Sequence, residues 1–556
     1  MAKESAQRRG RSDDSGPAAS PAGAGAGGEP ASVGRSPRRR GGIPFRPASA
    51  GLLLLLAVAL GVRLPGIRES LPYVFHWDEP TLVNLAVWIF TDGSLDPRFF
   101  NYPAGMVYLL AVLFAAALLA GRLAGIFPSL AEGILRLSAG TYPRPPGGEI
   151  LYRFPTRGVP FLYLAGRLVS AALGTLSVWW TFRLGRRLGG AAAGWLAGGL
   201  LALSALHAGH STLVTTDVAC GAFLSWFLFE LLAGGSPRRA GLALGLAAAF
   251  KYTGGIGLYL WPLGLLIRPG DGSRRDWNRR WLRLIPWAAG TFLVLNPYAL
   301  LTPRAFLAGF SQEAAHMREG TAHFGADLSI GPTGLRVVAQ TLWSDFGLIP
   351  LAGCAAAAVA AWRRRRPADG KGDGGGDAGA ARALLLLLLW CVVYLAQLST
   401  WKTAYPRYLL PIWPALCAAA ACGWSTLADG AATRLARSGR AAPGEGSRGG
   451  SGSGRLRPSP RPAPRPSLLP SLLPLFLPLF LLLFLLPSLP ALARSLRARL
   501  QPDPRVAMSR VLERELAPGA AVATEPGGPW IDSGSRQIIR VDLLGLREES
   551  RVGRRP

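Results

Sequence analysis

Apolar runs of about 20 residues, the length that crosses a bilayer core, recur along most of this chain and fix its fold class before any motif is read. The runs are rich in Leu and Ala. These are helix formers, and the runs lack the alternation of barrel strands. Half of the 556 residues are hydrophobic (50%) and only 17% are charged, so the chain is expected to be an all-α polytopic membrane protein. The formal charge is +29, from 61 Lys and Arg against 32 Asp and Glu. The basic residues cluster in short loops between apolar segments, where they act as topology signals rather than as a nucleic-acid surface. The five cysteines fall inside or at the ends of apolar segments without paired spacing, which excludes a disulfide framework and a metal knuckle.

Residues 1–47 are Gly, Ser, Pro, Ala and Arg with almost no large apolar side chain, so a disordered basic tail is expected. It ends in Arg38-Arg39-Arg40 before the first span, Gly51 to Leu64, which places the N-terminus in the cytoplasm. Further spans are read at 161–182, 191–209, 213–234, 240–253, 255–268, 284–302, 341–362, 383–400, 405–427 and 467–493, giving about eleven crossings in all. The segment 104–127 is apolar enough to cross as well, but parity opposes it. A crossing there would put Arg183-Arg186-Arg187, Arg238-Arg239, Arg274 to Arg283 and Arg363 to Arg366 on the outer side. It is therefore expected to lie along the outer surface. The resulting plan is a core at 48–427 with outer loops 66–160 and 303–340, a disordered cytoplasmic linker at 428–466, a last helix at 467–497 and a small outer tail at 498–556. The pair 240–268 is short for two crossings. Its middle holds Lys251-Tyr-Thr-Gly-Gly255, where a helix break facing protein or a cavity is expected.

Ionisable side chains at membrane depth are expensive and persist where they face a cavity or a partner. This topology sends five groups of them to the outer side: Asp78 with Glu79, Arg167, His210 with Asp217, Lys251 with Tyr252, and Lys402 with Arg407. Each has a structural explanation of its own. Arg167 can anchor a helix end by snorkelling, Asp217 can cap a helix after Thr215-Thr216, and Lys251 can pair with an acid. Their convergence on one face is harder to explain that way. Acids on one side of a cleft and cations on the other suit a phosphate-bearing substrate and an acceptor to be deprotonated. In the loop 303–340, Glu313 and His316 stand at i, i+3, a spacing that can supply two metal ligands, with no third nearby in sequence.

The motifs run in a distinctive order. Asp78-Glu79 follows the first span, then come Asn101-Tyr102-Pro103, Arg167 opening a span that ends Leu184-Gly-Arg-Arg187, and His210-Ser211 before Asp217. Lys251-Tyr252, Asn296-Pro297-Tyr298 and Arg407-Tyr408-Leu-Leu-Pro411 complete it. Over about residues 48 to 427 this order resembles the GT-C glycosyltransferases of the family 39 type, the protein mannosyltransferases and their bacterial relatives, and is similar to the lipid A aminoarabinose transferases. The resemblance implies a GT-C transmembrane bundle with surface helices in the first outer loop, and a bacterial plasma-membrane enzyme working on its outer face. It implies a polyprenyl-phosphate sugar donor, inversion at the anomeric carbon, and an acceptor hydroxyl on protein, lipid or glycan. Asp78, with Glu79 beside it, would be the catalytic acid pair. Lys251, Arg407 and Arg167 would hold the donor phosphate, and Asp217, His210, Tyr102 and Tyr252 would position substrate. No cofactor is expected to be required, with Glu313 and His316 left as candidates for a divalent metal. The competing class is a multi-span transporter or lipid flippase, in which the same intramembrane charges would serve passage. Internal repeats would favour it, and the sequence shows none.

Overall fold

The computed structural model describes residues 47–139, 156–268, 270–319, 334–364, 375–438, 488–524 and 537–540, with a few isolated positions between. From Gly51 onward the described residues belong to one compact unit. The expected N-terminal tail, the Tyr142–Pro146 stretch, most of the last span and most of the 428–466 linker lie outside the described residues. Almost all ordered structure is helical. In chain order the helices are α1 Pro47–Arg63, α2 Asp78–Thr91, α3 Gly105–Leu123, α4 Leu130–Ser138, α5 Pro160–Leu203, α6 Ala205–His210, α7 Thr216–Leu232 and α8 Pro237–Phe250. A 3-10 segment, Tyr252–Tyr259, leads to α9 Leu260–Ile267, α10 Asp271–Leu295, α11 Tyr298–Leu301 and α12 Pro303–Glu319. Then follow α13 Gly334–Thr341, α14 Leu348–Arg364, α15 Gly375–Ser399, α16 Trp413–Ser438, α17 Ser488–Leu500 and α18 Pro504–Glu515. Two short strand pairs complete the described fold: β1 Tyr73–Val74 is antiparallel to β2 Thr156–Arg157, and β3 Ala521–Thr524 is parallel to β4 Gln537–Arg540.

Three described helices are long and apolar enough to cross a membrane: α3, α5 and the 378–399 part of α15. A fourth candidate is the pair 334–346 and 348–364, bent by 103°. Some of the expected spans are interrupted, and the interruptions have local causes. The two expected spans 161–182 and 191–209 correspond to the two halves of α5, which meet at Gly190, whose φ of 84° no L side chain adopts cheaply, and to the short α6 that follows Ser204. The two halves fold back on each other there, with Gly185 and Gly194 letting the backbones approach. The expected span 341–362 breaks at Gly347 (φ 86°), after a single π turn at Leu342–Phe346. The helix α8 ends at Lys251, whose extended backbone (φ −151°, ψ 133°) opens the 3-10 segment, so the break expected in the Lys251–Gly255 stretch is present.

The main core gathers α5, α7, α8, α15 and α16 around Trp281, Trp390 and Trp413. A second cluster packs α2 and α3 against the start of α5, with Leu82, Leu85, Met106 and Phe114 fully buried. The helix α3 is long and apolar enough to cross, as its sequence already indicated, and was expected from the basic clusters to lie along the surface. Its outward residues Val112, Leu119 and Leu123 are exposed, which suits lipid on one side. A cysteine placed near Gly147 and probed with an impermeant thiol reagent decides its orientation. Labelling of intact cells is expected if basic-cluster parity holds, and labelling only after permeabilisation if α3 crosses.

The C-terminal helices pack on the stretch between α1 and α2, a contact that nothing in the sequence signals. Arg499 on α17 donates to the carbonyls of Pro65 and Val62, and Val506 on α18 joins Tyr73 and Phe75 in a small buried cluster. The Arg505 guanidinium lies 4.0 Å from the Phe75 ring centroid.

Candidate active site

Four charged side chains meet where four helix ends come together. Asp78 opens α2, Asp217 sits in the first turn of α7, Lys251 occupies the break after α8, and Arg407 lies in the 3-10 turn Pro406–Leu409 before α16. Helix ends leave backbone groups unsatisfied, so they are where polar side chains can gather at membrane depth. Acids at the first turns of α2 and α7 are also favoured by the helix dipole.

The contacts form a chain. Tyr102 donates its hydroxyl proton to Asp78 Oδ1 at 3.2 Å, and Arg407 Nη2 lies 3.6 Å from Asp78 Oδ2. Arg407 Nε lies 3.9 Å from Asp217 Oδ2, and Lys251 Nζ is 2.5 Å from Asp217 Oδ1. Both cations rest on aromatic faces, Lys251 over Tyr408 at 4.6 Å and Arg407 over Tyr405 at 4.5 Å. Two atoms in this knot are buried without a hydrogen-bond partner among the described residues, Arg407 Nε and Asp217 Oδ2. Burial raises the Asp78 carboxyl, but Arg407, His76, Lys251 and the Tyr102 hydroxyl together outweigh it and hold it at about 2. Asp78 is therefore ionised throughout the neutral range. His76 is pushed down by burial, in keeping with its Nδ1 accepting the Asp78 backbone N–H at 3.3 Å.

Beside the knot is a cavity of about 480 Å³, lined by Tyr102, Lys251, Tyr252, Glu313, Trp401 and Tyr408 among others. Tyr252 donates to the Phe100 carbonyl at 2.8 Å and meets Phe306 and Phe310 edge-on, so α12 is tied to the Asn101–Pro103 turn. Asn296 Oδ1 accepts from the Ala104 N–H at 2.7 Å on the other side of that turn. The far end of α12 is held by Lys402 and Thr403, whose backbone N–H groups donate to the Met317 carbonyl.

Glu313 reaches the cavity from α12, while Thr403 Oγ1 donates to the backbone carbonyl of His316. Among the described residues no group of three or more His, Cys, Asp or Glu side chains is placed to hold a metal ion. Burial pushes the Glu313 carboxyl up to about 7 against the pull of Lys251. Between its ordinary value of 4.5 and about 7, the folded chain keeps a proton that the unfolded chain has released. Stability from this group therefore falls as pH rises through that window. Unfolding midpoints in detergent at the two ends of the window are expected to differ less in Glu313→Gln than in the wild type. An unchanged difference would place Glu313 in solvent.

Glu79 and Arg167 stand elsewhere. Adjacent residues on a helix point about 100° apart, and Glu79 turns inward to full burial. Arg167 grips it with two 2.8 Å hydrogen bonds, and Glu79 Oε1 also accepts the Val214 N–H at 2.9 Å. The remaining Arg167 nitrogen donates to the carbonyls of Ile67 and Glu69, both at 3.0 Å. Every nitrogen of Arg167 is thus engaged away from the cavity. His210 is half-buried close enough to Asp78 and Arg407 to feel both charges, and its Nδ1 lacks a partner among the described residues. The sequence reading passed over Tyr405, Trp401 and Gln397. Tyr405 carried a signal, being an aromatic two residues from a membrane-depth arginine.

Fold and site together define a helical membrane protein with a charged, aromatic cleft at its helix ends. Residues 144–373 match the model of glycosyltransferase family 87. The match covers less than half of the chain. It contains Arg167, His210, Asp217, Lys251, Tyr252 and Glu313, and leaves Asp78 and Arg407 outside. The order of motifs resembles family 39, whereas the family whose model matches is family 87. A search of curated proteins finds no match. Among solved structures, the chain is similar to ArnT from Cupriavidus metallidurans bound to undecaprenyl phosphate, at 16% identity and a TM-score of 0.47, over 91% of this chain and 88% of that one. It is also similar to the oligosaccharyltransferase AglB from Archaeoglobus fulgidus in complex with an inhibitory peptide and a dolichol-phosphate, at 14% identity and a TM-score of 0.46, over 84% of this chain and 58% of that one.

Proposed function

We propose that the protein is a GT-C type membrane glycosyltransferase that moves a sugar from a polyprenyl-phosphate donor to an acceptor hydroxyl at the outer face, inverting the anomeric carbon. The observation that carries this reading is the meeting of Asp78, Asp217, Lys251 and Arg407 beside one aromatic cavity. The match to a glycosyltransferase family model over 144–373 supports the reaction class. In the reaction, the acceptor oxygen attacks the anomeric carbon from the side opposite the phosphate. Its proton passes to the Asp78 carboxylate, the bond from that carbon to the phosphate oxygen breaks, and the electron pair leaves on the phosphate. Asp78 is a weak base but always ionised, and the acceptor hydroxyl acidifies as its bond to carbon forms.

Lys251 and Arg407 hold the leaving phosphate. Lys251 has further N–H donors beyond the one on Asp217, and the contacts of Arg407 to Asp78 and Asp217, at 3.6 and 3.9 Å, are longer than hydrogen bonds. Tyr102 orients Asp78, Asp217 orients both cations, and Tyr252 with His210 lines the approach. We assign Glu79 and Arg167 to holding the first loop rather than to substrate.

The reading requires no divalent ion, because two fixed cations meet the charge on the leaving group. Transfer in purified membranes is expected to survive EDTA. Arg407→Ala is expected to weaken binding of the lipid-linked donor and to slow transfer together. Activity abolished by EDTA and restored by zinc or manganese would instead assign Glu313 and His316 to a metal, and unchanged donor affinity in Arg407→Ala would remove it from the phosphate.

A further inference from the structure

The stretch between α1 and α2, residues 64–77, leads straight into Asp78, and side chains from three other helices hold it. At its start, Arg499 of α17 donates to the Val62 and Pro65 carbonyls at 3.5 and 3.4 Å. Gly66 (φ 82°) lets α17 come that close, because a Cβ there would stand 2.6 Å from the Arg499 Cβ. In its middle, Arg167 of α5 holds the Ile67 and Glu69 carbonyls. At its end, α18 covers Tyr73 and Phe75. Val506, Ser509 and Glu513 recur on α18 at spacings of three and four, which puts them on one face. Val506 packs with Tyr73 and Phe75, Ser509 is fully buried, and Glu513 accepts the Tyr73 hydroxyl proton at 3.3 Å. Arg505 lies 4.0 Å over the Phe75 ring, and Asp503, which also caps α18, holds its guanidinium at 3.0 and 2.6 Å. The cation is thus preset for the ring by its own helix. Phe75 stands three residues before Asp78. The turn between them is closed by His76 Nδ1, which accepts the Asp78 N–H at 3.3 Å. On its other side α17 packs on α6, which ends at His210. Neither C-terminal helix supplies a side chain to the cleft, yet together they fix the backbone that delivers its carboxylate.

We propose that Arg505 and Val506 are positioning residues for sugar transfer: they hold Phe75, and through the His76 turn they set where the Asp78 carboxylate stands in the cleft. The inference rests on the reaction proposed above. Lys251 and Arg407 lie on other elements, so binding of the lipid phosphate does not depend on this contact. The test uses the full chain in detergent and the variant R505A/V506A, which removes both side chains that touch Phe75 and keeps a good helix former at each position. Its matched control is R510A/V511A, the same two residue types at exposed positions of the same helix. Three quantities are read: backbone hydrogen exchange by mass spectrometry, binding of polyprenyl phosphate, and single-turnover transfer from a polyprenyl-phosphate hexose. In R505A/V506A, amides of residues 66–77 are expected to exchange faster while those of α5, α7 and α8 do not change. Polyprenyl phosphate should bind as in the wild type, and transfer should slow roughly ten- to a hundredfold, the scale on which a small misplacement of a reacting group acts. R510A/V511A should match the wild type in all three. Unchanged exchange over 66–77 overturns the proposal, and so does faster exchange spread equally over α5 and α7, or phosphate binding lost in step with transfer. A variant that does not fold overturns it too, since α18 would then belong to the fold rather than to the placement of Asp78. If the wild type transfers no sugar, the transferase reading fails by itself, and this proposal, which rests on it, fails with it even where the exchange result stands.

Discussion

Asp78→Asn is expected to lower the rate of sugar transfer by roughly 10²–10⁴, the range seen when a general base is lost, while the protein stays folded and still binds donor. The substitution keeps the size of the side chain and the hydrogen bond from Tyr102, and removes only the charge and the proton acceptor. It leaves Arg407 with one carboxylate fewer, so the cation becomes no less available to a phosphate. Donor affinity should therefore hold while single-turnover transfer collapses. Loss of donor binding in the same variant would make Asp78 a structural residue, and full activity would remove it from the reaction.

The neighbouring acid is expected to behave in the opposite way. Glu79 is fully buried, and its only ionic partner among the described residues, Arg167, is itself 2% exposed. Removing one member of such a pair leaves a buried charge unpaired and costs about 3–5 kcal/mol. Arg167→Ala should lower the unfolding midpoint in detergent sharply and reduce the yield of folded protein. Glu79→Gln, which can keep the Val214 hydrogen bond, should do so less. Replacing both, as Glu79→Leu with Arg167→Met, should recover much of the loss, because a buried pair replaced by apolar side chains of similar volume is often tolerated. A Glu79→Gln protein of unchanged stability but lost transfer would return Glu79 to the reaction and undo the division of labour between the two acids.

Much of the site was legible because charge at membrane depth is rare. Asp78, Asp217, Lys251 and Arg407 stood out against apolar runs, and parity placed them on one side, where the structure brings them within 4 Å of one another in sequence as a chain of ion pairs. The break after α8 was legible as well, because Gly254-Gly255 stands only two residues beyond the lysine. The pairing of Arg167 with Glu79 was not. The two are 88 residues apart, and an acid that turns inward looks the same in sequence as one that faces a cleft until the phase of α2 is known. Span limits were blurred for a different reason. A hydropathy window averages across Gly347, inside the expected span 341–362, which turns the chain through a positive φ that a window cannot see. The packing of α17 and α18 on the stretch between α1 and α2 is a contact across the whole chain, and no local pattern encodes it.

If Asp78, Lys251 and Arg407 act as proposed, the bond between sugar and phosphate is broken at this cleft. The purified protein in liposomes, given a polyprenyl-phosphate hexose labelled in the sugar, decides it. Free polyprenyl phosphate is expected to appear in step with a glycosylated hydroxyl of inverted anomeric configuration, and Asp78→Asn is expected to form neither while still binding the donor. Donor that reaches the opposite leaflet with its sugar still attached, and no polyprenyl phosphate released, would make the protein a lipid transporter instead.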